Sequence, residues 1–173
     1  MKRSTWQWAS QYFREYGTSV EVIKHSLKVN EIANFFAQKA IEKKIIIDLD
    51  LVDKASIIHD FYRGVTDKDH QKKGGEILAK EDFRLGRIVA IHGLKSILDK
   101  NAPYTIEEKI VFLADKLVLH DSGVILDVGI KIDQKPARQW REEAKVKVLK
   151  MLDELFFELG TSAGELWRAQ KKN

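Results

Sequence analysis

The sequence predicts an all-α fold, a single-domain bundle of about seven to nine helices. Apolar residues recur at helical spacing along almost the whole chain, and only 2 of the 173 residues are proline. The hydrophobic fraction of 44% is enough for a buried core in a chain of this length. We expect one domain over residues 1–173, with a core at about 20–120 and C-terminal helices at about 136–172 packed on it.

Five helices are predicted in the N-terminal half, several with a recognisable start signal. Ser4 can cap the first helix, and Thr18 with Glu21 has the spacing of a capping box. Asp48 can cap the third helix. The predicted helices cover about 4–16, 18–43, 48–60, 70–80 and 82–92.

Three further helices are predicted in the C-terminal half. Thr105 and Glu108 form a second capping box. Pro136 suits the first turn of a long helix that Gly160 ends. His120 is expected to be an ordinary surface residue or a residue at the end of its helix. The predicted segments are helices at about 105–120, 136–159 and 161–171, and a loop with some irregular helix at 121–135.

The composition narrows the class of protein. Lys and Arg number 30 against 26 Asp and Glu, a net charge of +4 that suits a small anionic substrate, and no basic block is dense enough to favour nucleic acid. The N-terminal MKRSTWQWASQYF has no continuous apolar stretch and the longest aliphatic run is Ile45–Ile47, so we expect neither a signal peptide nor a membrane span. The expected location is the cytoplasm.

The chain contains no cysteine, so disulfides and thiolate ligands are excluded. Any metal must therefore be held by His, Asp or Glu, which suit Mn, Fe, Co, Ni, Mg or Zn without choosing between them.

Several ionisable residues lie on helix faces that should be buried. His25, for example, is followed by Val29 at +4 and by Phe36 at +11, on one apolar face. A single buried histidine is more often an ordinary core residue with hydrogen bonds than a ligand, whereas a buried lone carboxylate is rarer. The residues on such faces are His25, His59, His92 and Asp115.

Taken together, these buried ionisable residues on separate helices indicate a bound cation. Inward imidazoles together with the carboxylates of Asp60 and Asp115 would leave buried charge without compensation, and one divalent ion would satisfy them all. The order His25…His59-Asp60…Asp115 also resembles the HD superfamily of metal-dependent phosphohydrolases, whose signature is H…HD…D. The resemblance extends over about residues 20–120, in the segments HSLKVNEIANFFA (25–37), ASIIHDFYRG (55–64), HQKKGGEIL (70–78), RIVAIHG (87–93) and KIVFLADKLV (109–118).

The resemblance implies a set of metal ligands. His25, His59, Asp60 and Asp115 would hold a first divalent ion, and Asp60 would bridge to a second ion that His70 and His92 complete. The implied cofactor is one or two divalent ions drawn from Mn, Fe, Co, Ni, Mg and Zn.

Two residues are expected to act in catalysis. Asp60 would orient the nucleophile, and Arg63, at a position where many members of the superfamily have Lys, would hold phosphate oxygens. The alternative for Arg63 is a surface position or an ion pair with Asp67 or Asp69. Lys116, next to Asp115, could also face phosphate, but adjacent helical residues point about 100° apart, so solvent is the expected direction.

The expected function is hydrolysis of a phosphoester or phosphoanhydride in a nucleotide or a related small phosphorylated molecule. The order of the histidine segments most resembles the small symmetric dinucleoside-tetraphosphate hydrolases. Two other classes stay open, namely a metal- or nucleotide-binding sensor without turnover and a di-iron oxygenase. The sequence leaves open whether the protein is a monomer or a homodimer.

Overall fold

The computed structural model describes residues 4–119, 128–133 and 138–171. Within these parts the chain forms nine α-helices, two short 3₁₀ helices (Phe61–Gly64 and Leu94–Leu98) and no β-strand, which confirms the all-α class and the expected number of helices. None of the described helices is long and apolar enough to cross a membrane. The α-helices are α1 Thr5–Glu15, α2 Val20–Glu42, α3 Leu49–Ile58, α4 His70–Leu78, α5 Phe83–Ile91, α6 Ile106–Lys116, α7 Val128–Asp133, α8 Arg141–Leu159 and α9 Ala163–Gln170.

Three predicted N-caps are confirmed, and one of them is Asp48, whose side chain accepts a hydrogen bond from the backbone N–H of Leu51 at the start of α3. Ser4 forms a capping box with Gln7 at the start of α1, and Thr105 forms one with Glu108 at the start of α6. At the other end of α8, Gly160 has a φ of 59°, a left-handed conformation that glycine adopts at low cost. The predictions for His120, for Pro136 and for most of the loop at 121–135 lie outside the described residues.

The capping box predicted from Thr18 and Glu21 is wrong. Ser19 caps α2 instead, with its hydroxyl accepting a hydrogen bond from the backbone N–H of Val22. The Thr18 hydroxyl donates to the backbone carbonyl of Phe61 at 2.7 Å. Thr18 therefore ties the α1–α2 connection to the 3₁₀ helix that follows Asp60, and this tertiary contact replaces the local cap.

Helices α2, α3 and α6 form the centre of the core. Val29, Ile32 and Phe36 of α2 are fully buried, as the helical spacing predicts. Helix α6 is buried along nearly its whole length, with consecutive apolar residues from Ile110 to Ala114 inaccessible to solvent. Consecutive apolar residues cover every side of a helix, so the stretch from Ile110 to Ala114 must be surrounded by other elements, and this part of α6 lies inside the bundle.

The C-terminal helix α8 packs onto this core. Val148, Leu155 and Leu159 are buried, and the rings of Phe36 and Phe156 lie 5.9 Å apart. The boundaries expected for the core and the C-terminal part stay a prediction.

Helices α4 and α5 approach closely through glycines that face each other. A Cβ atom added to Gly86 would lie 2.5 Å from the carbonyl oxygen of Gly75, and one added to Gly75 would lie 2.6 Å from the carbonyl oxygen of Gly86. Both contacts are with backbone, which cannot move aside as a flexible side chain can.

We expect the substitution Gly86→Ala to destabilise the protein by about 1–3 kcal/mol, the usual cost of overpacking a core. Chemical denaturation measures this directly. The control is Gly164→Ala, where the nearest side chain atom to an added Cβ is 3.6 Å away. Equal unfolding free energies for the two variants would contradict the close packing of α4 on α5.

Candidate metal centre

The six residues predicted as metal ligands lie together at one end of the bundle. Helices α3 and α5 end there, α4 begins there, and the last turn of α6 and the second turn of α2 reach the same place. All six side chains are buried, and they are His25, His59, Asp60, His70, His92 and Asp115.

Two imidazoles face the carboxylates of Asp60 and Asp115 on one side of the cluster. The Nε2 atom of His25 is 3.1 Å from Oδ1 of Asp115 and 4.0 Å from Oδ2 of Asp60. The Nε2 atom of His59 is 3.8 Å and 3.7 Å from the same two oxygens. These separations leave room for an ion between the ligand atoms.

Asp60 also faces two imidazoles on the other side of the cluster. Its Oδ1 atom is 3.0 Å from Nε2 of His70 and 3.1 Å from Nε2 of His92. The potential ligand atoms therefore fall into two groups, each with its atoms within 4.8 Å of one another: His25, His59 and Asp60, and Asp60, His70 and His92. Asp60 belongs to both groups.

Backbone carbonyls fix the orientation of three of the rings. The Nδ1 atoms of His59, His70 and His92 lie 2.7–2.8 Å from carbonyl oxygens three residues earlier in the chain. Since a carbonyl can only accept, Nδ1 carries the proton in each ring. In the neutral imidazole the Nε2 atom then has a free lone pair, and this is the arrangement by which proteins orient metal-binding histidines.

These donors fit a divalent cation. The Nε2 atom of His59 is buried and has no hydrogen-bond partner among the described residues. Burial lowers the pKa of His59 to about 3, so the ring is neutral at physiological pH and cannot donate from this atom. A buried lone pair without a partner costs roughly 1–3 kcal/mol, and a metal ion would satisfy it.

The charge of Asp60 agrees with such an ion. Burial would raise the pKa of its carboxyl, whereas protons on the facing Nε2 atoms of His59, His70 and His92 lower it well below its usual value, and a bound cation would act in the same direction in place of those protons. Asp60 is therefore an anionic oxygen donor at neutral pH. Neutral imidazoles with anionic carboxylates form a donor set that suits Mn, Fe, Co, Ni or Zn.

Comparison with known proteins agrees with this chemistry. The model of the HD domain family matches residues 22–120, which include all six clustered residues. The chain belongs to the HD domain family. HD domains are typically metal-dependent hydrolase domains, so a divalent metal is the cofactor that the family implies for this cluster.

A relative with sequence similarity to this HD protein is known from Methanocaldococcus jannaschii. The two are 32% identical over 131 residues, which cover 68% of this chain and 78% of the relative, named Uncharacterized protein MJ0778. No solved structure matches the chain.

A cavity of about 250 Å³ opens directly above the cluster of this HD domain. Its floor contains Asp60, His70, His92 and Asp115. The remaining walls are formed by Arg63, Asp67, Gln71, Gly93, Leu94 and Lys116. Nothing in the sequence marks Gln71 or Leu94 as cavity residues beyond their position close to metal-ligand candidates.

Arg63 both lines the cavity and pairs with acidic residues. Its Nε atom donates to Oδ1 of Asp67 at 2.9 Å, and its Nη1 atom lies 3.4 Å from Oδ2 of Asp60. The ion pair with Asp67, expected as the alternative to a catalytic role, is thus present. It does not remove Arg63 from the cavity, where its guanidinium stands beside the carboxylate shared by the two groups.

The expectation that Lys116 faces solvent is wrong. Only 4% of the residue is exposed, and its ammonium donates to the carbonyl oxygen of His92 at 2.6 Å and to the carboxylate of Asp115. The physical reason is that α6 is enclosed on all sides, so a residue about 100° around the helix from Asp115 still points into the protein. The apolar run IVFLADKLV around the Asp-Lys pair was the available signal.

Proposed function

We propose that this HD protein is a metal-dependent phosphohydrolase for a nucleotide or a related small phosphorylated molecule. The observation that carries the proposal is one buried carboxylate, Asp60, shared by two groups of metal-ligand candidates at the floor of an open cavity. Paired divalent ions that share a carboxylate suit the displacement reaction at phosphorus.

Each residue has a defined part in this proposal. Asp60 contributes to both ion sites, His25, His59 and Asp115 complete the first, and His70 and His92 complete the second. When bound, the ions supply a water of lowered pKa and neutralise charge on the phosphoryl oxygens. The carbonyls bonded to the Nδ1 atoms keep the rings in the tautomer that this arrangement needs.

Arg63 contributes a binding contact from the cavity wall. Its guanidinium can donate two parallel hydrogen bonds to one phosphoryl group, and Asp67 holds the side chain in place through the Nε atom. Lys, which many members of the superfamily have here, provides a single charged point instead. Binding by Arg63 orients the phosphoryl group above Asp60.

We expect Arg63→Ala to lower kcat/KM about 10- to 100-fold, the loss typical of a charged hydrogen bond to substrate. The metal content should not change, because Arg63 lies outside both ligand groups. Steady-state kinetics and elemental analysis of the same sample measure the two quantities.

The matched control for Arg63 is Arg84→Ala, which removes an exposed guanidinium paired with Asp48 and Asp82 at the far ends of α3 and α5. Its kinetics should equal those of the wild type. Indistinguishable kinetics for the two variants would contradict the binding role of Arg63.

The function is tested by phosphate release from a substrate panel with Mn²⁺, Co²⁺ or Ni²⁺. The panel contains mono-, di- and cyclic nucleotides, and it includes dinucleoside tetraphosphates because of the resemblance to their small hydrolases. Metal-dependent release from at least one substrate is the expected result. Tight nucleotide binding without turnover would instead indicate a sensor, and activity that requires iron and oxygen would indicate an oxygenase.

A further inference from the structure

The ammonium group of Lys116 is held rigidly beside the cluster. It donates to the carbonyl of His92 at 2.6 Å and to the carboxylate of Asp115, and it lies 4.7 Å from the centre of the Phe112 ring. A buried ammonium is costly unless it is paired, and Asp115 supplies the pairing. The side chain therefore has one defined position. Binding of a ligand to it would cost little further conformational entropy of the side chain.

One donor of this ammonium is available to a ligand. A lysine ammonium has three N–H groups. Two of them are used by His92 and Asp115, and within residues 4–119, 128–133 and 138–171 no further hydrogen-bond acceptor is bonded to the third. Lys116 also forms part of the cavity wall, so an anion in the cavity can reach it.

The two buried carboxylates each hold one cation at the edge of the cavity. Asp115 turns Oδ1 towards His25, and its Oδ2 accepts from Lys116. Asp60 turns Oδ1 towards the second group of imidazoles, and its Oδ2 faces Arg63. The cavity is thus flanked by two cations that reach it from different elements, Arg63 from the 3₁₀ helix after Asp60 and Lys116 from the end of α6.

The charge of the cavity depends on both cations. Its lining contains three carboxylates, of Asp60, Asp67 and Asp115, against the positive charges of Arg63 and Lys116. Without an ion the carboxylates prevail and repel an anion. A single divalent ion gives the lining a net positive charge, and the loss of Arg63 or Lys116 would cancel that excess.

We propose that Lys116 is a second substrate-binding residue, which with Arg63 grips a phosphoryl group that carries two or more anionic oxygens. The proposal rests on the proposed function for its assumption of a phosphorylated substrate. The two contacts select for a phosphate dianion, because each cation needs its own anionic oxygen.

Calorimetry of inorganic phosphate binding to the protein loaded with Mn²⁺ tests this assignment. We expect Lys116→Met to bind phosphate roughly tenfold more weakly, the loss of one charged hydrogen bond, at unchanged metal content. Lys116→Arg keeps the positive charge but not the shape of the ammonium, so it should lose less phosphate affinity than Lys116→Met. Lys109→Met, a change on the same helix outside the cavity, should bind phosphate as the wild type does.

Phosphate affinity of Lys116→Met equal to that of the wild type would overturn the assignment. Loss of metal from that variant would overturn it as well, since Lys116 would then act only by positioning Asp115. NMR spectroscopy of the wild-type protein provides a second test, which does not depend on the folding of any variant. Phosphate added to the Zn²⁺-loaded protein should shift the ammonium NMR resonance of Lys116, and an unmoved resonance would also overturn the assignment.

The outcome is separable from that of the proposed function. Phosphate binding requires no turnover, so a wild type that binds phosphate through Lys116 but hydrolyses nothing in the panel would contradict the proposed function alone. Hydrolysis with no contribution of Lys116 to phosphate binding would contradict the assignment of Lys116 alone.

Discussion

Replacing Asp60 by alanine is expected to remove bound metal and hydrolytic activity together. Asp60 is the carboxylate that faces both pairs of imidazoles, so its loss takes an anionic ligand from both ion sites at once. Metal catalysis of this kind is worth several kcal/mol, and we therefore expect hydrolysis to fall by about a thousandfold or more. Elemental analysis and phosphate release on the same purified sample measure the two effects.

The matched control for Asp60 is Asp50→Ala, on the same helix α3 but exposed and paired with Lys54. Its metal content and activity should equal those of the wild type. If Asp60→Ala kept the wild-type metal content and rate, the assignment of the whole cluster would be wrong.

Replacing His92 by alanine is expected to reduce the metal content from two ions per chain to one. His92 belongs only to the second group, where its Nε2 atom is 3.1 Å from Oδ1 of Asp60. The first group, His25, His59 and Asp60, keeps all its members, with Asp115 beside it. Because the shared-carboxylate arrangement would then hold a single ion, we expect the rate to fall about 100-fold or more.

His25→Ala is the matched comparison, because it removes an imidazole from the first group instead. His92→Ala and His25→Ala should each lose one ion. The remaining ion should lie at the first site in His92→Ala and at the second site in His25→Ala, so its affinity should differ between the two variants. Titration of the metal-free proteins with Mn²⁺ resolves this. Two ions bound by His92→Ala with the affinities of the wild type would contradict the existence of the second site.

Much of the fold could be predicted because the helices carry their own signals. Ser4 and Thr105 cap their helices as the local sequence indicates, and the stripe of Val29, Ile32 and Phe36 is buried as its spacing requires. Thr18 could not be predicted, because its partner is the carbonyl of Phe61, 43 positions away in the sequence. A contact of that separation leaves no mark in local spacing.

The candidate site was predictable for a different reason. Imidazoles and carboxylates on apolar faces are costly unless something compensates them, so His25 and Asp115 stand out in otherwise apolar helices. The structure brings these residues together with His59 and Asp60, while their role as metal ligands stays a prediction. Gln71 in the cavity wall does not interrupt an apolar helix face in this way, so the sequence does not mark it as a site residue.

Lys116 shows the limit of reasoning from a single helix. Its angle from Asp115 is set by helix geometry, but whether that direction leads to solvent depends on what surrounds α6. The buried surroundings come from α2, α3, α5 and α8, which contact α6 through residues distant in the sequence. The position of the Lys116 ammonium at the cavity could therefore be learned only from the structure.

Anomalous diffraction from crystals grown with Mn²⁺ is the direct test of the metal centre. We expect one anomalous peak within coordination distance of His25, His59, Asp60 and Asp115, and a second within coordination distance of Asp60, His70 and His92. Crystals that show Mn²⁺ elsewhere on the protein, or no peak among these six side chains, would contradict the claim that the cluster is a metal centre.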